Sequence, residues 1–182
     1  MDDKRSILLH TCCANCATSP VERLLSQNNE IVLFFSNSNI FPEQEYVKRL
    51  QSARNLSAAL HLELIEDTYD HSSWLEYIKG LEDEPERGKR CQKCFEYNLR
   101  RTALSAENLS IPCFTTTLTV SRHKPSGVIF EVGSHLPGFE PIDFKKQNGF
   151  SRSIELSKQY NLYRQNYCGC EFSMRVASLR KT

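Results

Sequence analysis

No stretch of this chain stays apolar for the roughly 18 residues that a membrane-spanning helix needs, so a helical span is not expected. The apolar run after the charged start MDDKRS is too short for a signal-peptide core, and no cleavage site follows it. The expected compartment is therefore the cytoplasm, with no membrane partner. Charge of one sign is also missing. Against 23 Lys and Arg stand 22 Asp and Glu, a net +1 at neutral pH, so any contact with nucleic acid must come from local patches rather than a global field. Repeats and low-complexity segments are absent. What remains is the ordinary mix of a globular domain, 40% hydrophobic and 25% charged over 182 residues, enough to build one core.

One residue type is in excess. Eight cysteines fall as CCxxC (Cys12, Cys13, Cys16), CxxC (Cys91, Cys94), CxC (Cys168, Cys170) and a lone Cys113. A reducing compartment and a chain long enough for its own core favour metal binding or redox-active thiols over structural disulfides. Cys113, inside an apolar β-branched run, reads as a small buried hydrophobe.

The hydrophobic pattern alternates strand and helix. Strands are expected at Ser6 to His10, from Glu30, at HLELIED and along IPCFTTTLTV. Helices are expected from Ser19, with Pro20 at its first position and Glu22 closing a capping box, to about Gln27. Further helices follow after Pro42, over His71–Lys79, from Cys91 to about Ala106, through Val132 with Ser126 as its cap, near Ser151–Tyr160 and over Glu171–Leu179. That order predicts an α/β fold: a Rossmann-like parallel sheet flanked by helices, with a C-terminal helical segment completing a metal site. The expected layout is a single domain over 1–182, with core strands and helices in 1–120 and a helical part carrying the CxC motif in 121–182.

In such sheets ligands sit beyond the carboxyl ends of the strands, where the first three cysteines fall. Cys91 and Cys94 open a helix, whose N-terminus favours thiolates, the form that soft metals bind. CxxC with CxC suffices for a structural zinc, leaving CCxxC for redox work. An iron–sulfur cluster takes four thiolates, and the spacing leans toward it. Seven candidates exceed either need, which points to a second metal, an exchanging ligand or a redox pair.

The segments LLHTCCANC, FFSNSNIFPEQEY, EPERGKRCQKCF, FTTTLTVSRHK and SRSIELSKQYNLYRQNYCGC, in this order, resemble the QueH family of cobalamin-independent epoxyqueuosine reductases from about Leu8 to Ser173. Asn15 stands where relatives commonly have proline, and Cys113 where they can have valine. The resemblance implies a HUP-type, PP-loop-like fold and reduction of the epoxide of epoxyqueuosine at the tRNA wobble position, the last step of queuosine biosynthesis. It further implies a [4Fe–4S] cluster with an additional iron, held between them by Cys12, Cys13, Cys16, Cys91, Cys94, Cys168 and Cys170. The partners implied are the tRNA and a separate electron donor.

Protonation of the departing oxygen needs an acid, for which Asp70, Tyr46 and Glu86 are the candidates; Asp70 also reads as a helix N-cap. Arg87, Lys89, Arg90, Lys93, Arg122, Lys124, Lys145, Lys146 and Arg152 are candidate phosphate contacts. Tyr163, Tyr167 and Phe172 are candidates to stack on unpaired bases. Asn37 and Asn39, after the second strand, read as substrate hydrogen-bonding groups or as turn residues. Two rival readings remain: a zinc-stapled RNA-binding domain, and a thiol-based tRNA sulfurtransferase. Against the second, the first strand–helix turn holds CCANCATS and no SGGxDS-like stretch.

Overall fold

The computed structural model describes residues 4–179. Strands β1 (Ser6–His10), β2 (Glu30–Phe35), β3 (Glu63–Glu66) and β4 (Cys113–Thr116) form a parallel sheet in the order β3-β2-β1-β4. The chain steps outward from β1 to β3, then returns to the other side of β1 for β4. The order thus reverses between β1 and β4, the switch point where open α/β sheets bind ligands.

Alternating side chains of β1 face opposite layers, as a pleated strand requires. Ile7 and Leu9 pack with Val21 and Leu24 of α1 (Ala14–Ser26). Leu8 packs with Phe34 and Phe114, against Phe95 and Leu99 of α4 (Lys89–Asn108) and Ile129 of α5 (Ser126–Gly133). On the first face α1 packs against α2 (Glu43–Leu60) and α6 (Gly149–Gln159); on the second, α4 packs against α3 (His71–Tyr77) and α5. Helix α7 (Glu171–Leu179) follows the CxC motif. Among the described residues no helix is long and apolar enough to cross a membrane.

Three local expectations are corrected. Helix α1 begins five residues before Ser19. Its N-cap is Cys13, whose sulfur accepts the Cys16 N–H at 3.4 Å, so a thiol does the work expected of a hydroxyl. Ser19 and Pro20 lie inside the helix, where the Ser19 hydroxyl donates to the Gly149 carbonyl at 2.8 Å and meets Ser153 at 2.7 Å. The expected fourth strand ends at Thr116 and turns into a 3-10 segment, Thr117–Val120, because the Thr116 hydroxyl accepts the Leu118 N–H and competes with the ladder. Pro125, not Ser126, precedes α5; the Ser126 hydroxyl instead accepts a bond from Lys145 Nζ at 2.7 Å.

Candidate metal centre and substrate pocket

The turn between β1 and α1 carries Cys12, Cys13 and Cys16, whose sulfurs all lie within 4.8 Å of one another. Thr117, leaving β4, fastens this turn from across the switch point. Its hydroxyl oxygen accepts the Cys12 N–H at 3.0 Å and its hydroxyl donates to the Cys12 sulfur at 3.2 Å. Within the trio Cys13 is held well below the ordinary thiol range, by hydrogen bonds from Cys12 first and Cys16 second. Cys12 first and Cys13 second drive Cys16 well above that range. Cys13 is therefore the first of the three to ionise.

Cys91 and Cys94 sit in the first turns of α4, but the helix terminus does not lower their pKa as expected. Burial comes first and raises both, and the nearby Cys168 and Cys170 add to it. Burial also raises Cys170. Cys91, Cys94 and Cys170, three thiols that resist ionisation, are the kind of environment in which a cation replaces the protons. Donors surround this group. The Arg87 backbone N–H reaches the Cys91 sulfur at 3.2 Å. The fully buried indole N–H of Trp74 forms no regular hydrogen bond and faces Cys94, whose proton affinity it lowers. An orphaned N–H against a thiol suits a sulfur carrying full negative charge.

A cavity of about 20 Å³ joins the segments: Cys12, Cys94 and Cys168 line it together with Asn37, Asn39, Asn98 and Lys124. The three thiol motifs thus converge on one place. Asn37 Nδ2 donates to the Thr11 carbonyl at 2.9 Å, and Asn39 Oδ1 accepts from Asn98 Nδ2 at 3.2 Å. The buried Asn98 Oδ1 has no partner among the described residues. Burial opposes charge on Lys124, but Cys168, Cys12, Cys16 and Cys13 outweigh it and hold the ammonium well above the usual lysine range.

The CxC motif is strapped down by a residue that no sequence pattern announces. Arg49 of α2, with 1% of its side chain exposed, donates to the carbonyls of Cys168 at 2.8 Å and Tyr167 at 3.2 Å, and pairs with the Glu45 carboxylate at 2.8 Å. Phe41 N–H donates to the Gly169 carbonyl at 2.8 Å. A Cβ on Gly169 would lie 2.9 Å from Asn39 Nδ2, so only glycine allows this approach. Asn15 ties the opposite side, donating to the Tyr163 carbonyl at 2.8 Å and Gln165 Oε1 at 3.1 Å.

Several sequence candidates have other occupations. Asp70 N-caps α3 and accepts from the Ser73 N–H at 2.9 Å. Tyr46 is buried among Phe35, Ile40 and Leu50, donates to the Asp67 carbonyl at 3.4 Å and has its pKa pushed to about 12, mainly by burial. Neither lines the cavity, and Glu86 stands exposed in the loop before α4. Arg90 is buried and gives its guanidinium to the carbonyls of Leu81, Glu82 and Glu84, over the Phe172 ring. Lys93 pairs with Glu96, and Lys145 Nζ is bonded to the Thr119 and Lys124 carbonyls. Arg152 pairs with Glu22 and Glu155. The Tyr163 hydroxyl donates to Glu45 at 2.8 Å; that of Tyr167 donates to the Phe41 carbonyl beneath Arg49. Lys89 and Arg122 are exposed, and the Arg87 guanidinium donates to His123 Nδ1 at 3.0 Å. Cys113 is buried away from the other thiols and donates to the Ser6 carbonyl at 3.3 Å.

Comparison with known proteins agrees with this layout. A family model described as epoxyqueuosine reductase QueH matches residues 7–176. Epoxyqueuosine reductase QueH of Streptococcus pyogenes is 38% identical over 96% of this chain and 72% of its own length. The Acinetobacter baylyi protein of that name is 36% identical over 96% and 83%, and the Thermotoga maritima one 30% over 93% and 90%. The U34-tRNA thiolase NcsA of Methanococcus maripaludis, solved with its [4Fe-4S] cluster, superposes with a TM-score of 0.56 over 98% of this chain and 65% of its own, at 9% identity. That last likeness is one of architecture alone, and it fits the PP-loop-like layout of the sheet. By the family model and these relatives, the chain belongs to the QueH family of epoxyqueuosine reductases.

Proposed function

We propose that this protein converts epoxyqueuosine to queuosine in the anticodon of tRNA. Both C–O bonds of the epoxide break, a C=C bond forms, and the oxygen leaves as water with two electrons and two protons consumed. The observation that carries this reading is the convergence of Cys12, Cys94 and Cys168, from three distant segments, on one cavity at the β1/β4 switch point. Seven thiols with one orphaned N–H among them fit a [4Fe–4S] cluster with an additional iron, which the seven hold between them. When bound, these centres supply single electrons and a Lewis-acidic site for oxygen.

The chain's own residues do the rest. Asn37, Asn39 and Asn98 line the cavity with amide groups suited to hydrogen-bonding a polar ligand, and the unpaired Asn98 Oδ1 accepts from it. Lys124 Nζ, the cation lining the same cavity, donates to the oxygen as charge develops on it. Phe95, Ile40 and Leu118 exclude water and so strengthen that contact. A separate one-electron donor recharges the site between turnovers. Asp70, Tyr46 and Glu86 are not needed for this scheme, because Lys124 already lines the cavity.

Anaerobically reconstituted protein, incubated with a chemical reductant and tRNA bearing epoxyqueuosine, tests the reading by mass spectrometry of nucleoside digests. The expected product is lighter by one oxygen atom. Iron-replete protein that leaves the nucleoside unchanged refutes it.

A further inference from the structure

Apart from the thiol pocket there is a second concavity, a groove of about 240 Å³ between α1 and α6. Glu22, Arg23, Phe144, Lys146 and Arg152 line it. Its charge is not cancelled. Arg152 is neutralised by Glu22 and Glu155, whereas Arg23 and Lys146 have no acidic partner among the described residues. Arg23 is braced rather than paired: its guanidinium sits 5.7 Å from the centre of the Phe144 ring and gives one bond to the Asp143 carbonyl at 3.3 Å. A guanidinium has five N–H donors, so most of its capacity is open to the groove.

The cations continue from this groove to the pocket. Arg122, also without an acidic partner among the described residues, lies 4.3 Å from the centre of the ring of Phe150, the residue after Gly149 at the groove's edge. Two residues beyond it, Lys124 lines the thiol cavity. On the pocket side, Arg87 donates to His123 while its backbone N–H reaches Cys91. Arg23 stands seven residues along α1 from Cys16, about 10 Å at the helical rise. A lane of unpaired cations thus runs from the thiols to the groove, each guanidinium along it resting on a ring or a neighbouring side chain. Such a lane fits a polyanion with regularly spaced charges better than a single small anion.

We propose that the α1/α6 groove and Arg122 bind the phosphate backbone of the RNA strand that flanks the target base. This rests on the function proposed above and adds the surface that recognises the RNA. The test is the salt dependence of binding between iron-replete protein and tRNA bearing epoxyqueuosine. In the Arg122→Ala/Lys146→Ala double variant, the slope of log affinity against log salt should shrink by about 1.4 to 1.8, two phosphate contacts' worth, with binding about tenfold or more weaker near 0.1 M salt. A control double variant on α2 and in the turn after α3, Lys48→Ala/Lys79→Ala, should keep the wild-type slope, and Arg122→Lys/Lys146→Arg should restore most of it. An unchanged slope in the first variant, or an equal loss in the control, overturns the groove. If the wild-type protein still reduces the nucleoside in that case, the function stands and only the groove falls. If iron-replete wild-type protein neither binds nor reduces the tRNA, the function falls and the groove with it.

Discussion

Replacing Arg49 with methionine removes the strap that holds the CxC segment against α2. The variant loses two charged-donor bonds to the Cys168 and Tyr167 carbonyls and strands the buried Glu45 carboxylate. Stranding a buried charge costs about 3–5 kcal/mol, and because Tyr163 still donates to Glu45, about 3 kcal/mol is the expected cost. The folded core keeps its own contacts, so the system relieves this strain by releasing residues 167–170. At 1.4 kcal/mol per tenfold, about 3 kcal/mol raises the released population about a hundredfold. The assay is the rate of alkylation of Cys170 in metal-free protein, read by mass spectrometry with the buried Cys113 as internal reference. A rise of about two powers of ten in the Cys170 rate, with a fall in bound iron after reconstitution, is expected. The Glu45→Gln/Arg49→Met double variant should recover part of both, since no bare charge is then buried. An Arg49→Met protein with the wild-type alkylation rate and full iron would refute the reasoning.

Four further outcomes follow from particular contacts. Cys113→Ala should lose about 1 kcal/mol in denaturant titration and retain full iron, whereas alanine at any of the seven grouped cysteines should lower the iron count. Trp74→Phe keeps an aromatic ring in the core but removes the N–H facing Cys94, so a redox titration followed by electron paramagnetic resonance should give a more negative midpoint; an unchanged midpoint contradicts it. Gly169→Ala should displace the CxC segment from Asn39 and Ile40 and reduce iron loading with little change in melting temperature. Asp67, despite half-burial, is held below the ordinary carboxyl range by Arg101 and Ser36. Its stabilising share is therefore present above the unfolded pKa and lost as pH falls through the folded value. Asp67→Asn should cost about 2 kcal/mol at pH 7 and progressively less below about pH 4, as urea titrations at both pH values would show.

What the sequence revealed depended on whether the signal was local. The strands were legible because Ile7 to Leu9 and Ile31 to Phe35 are short apolar runs between turns. The cysteine motifs were legible because two or three residues fix their spacing, and the family resemblance added their common destination. The start of α1 was misread because Ser19, Pro20 and Glu22 imitate a capping box, while the true cap is a thiol. Charge alone did not reveal burial: Arg90 reads like Arg87, yet it is sealed inside the loop it holds together. Arg49 and Glu45 look like an exposed i, i+4 pair on a polar helix, and only tertiary packing makes them a buried anchor. Asn98 and Thr117 carry no motif; they matter because β4 and α4 flank the switch point. Asn15, a departure from the common proline, gains its meaning from Tyr163 and Gln165, about 150 positions away.

Thiols from three segments forming one iron-holding pocket that acts on epoxyqueuosine are the centre of the proposed function. Iron and acid-labile sulfide counts on anaerobically prepared protein, followed by a single turnover of epoxyqueuosine-bearing tRNA in the same sample, test it most directly. Several irons per chain, sulfide, and queuosine formed in step with electrons supplied are expected. A protein holding only one zinc, or one fully loaded with iron that leaves the epoxide intact, would contradict it.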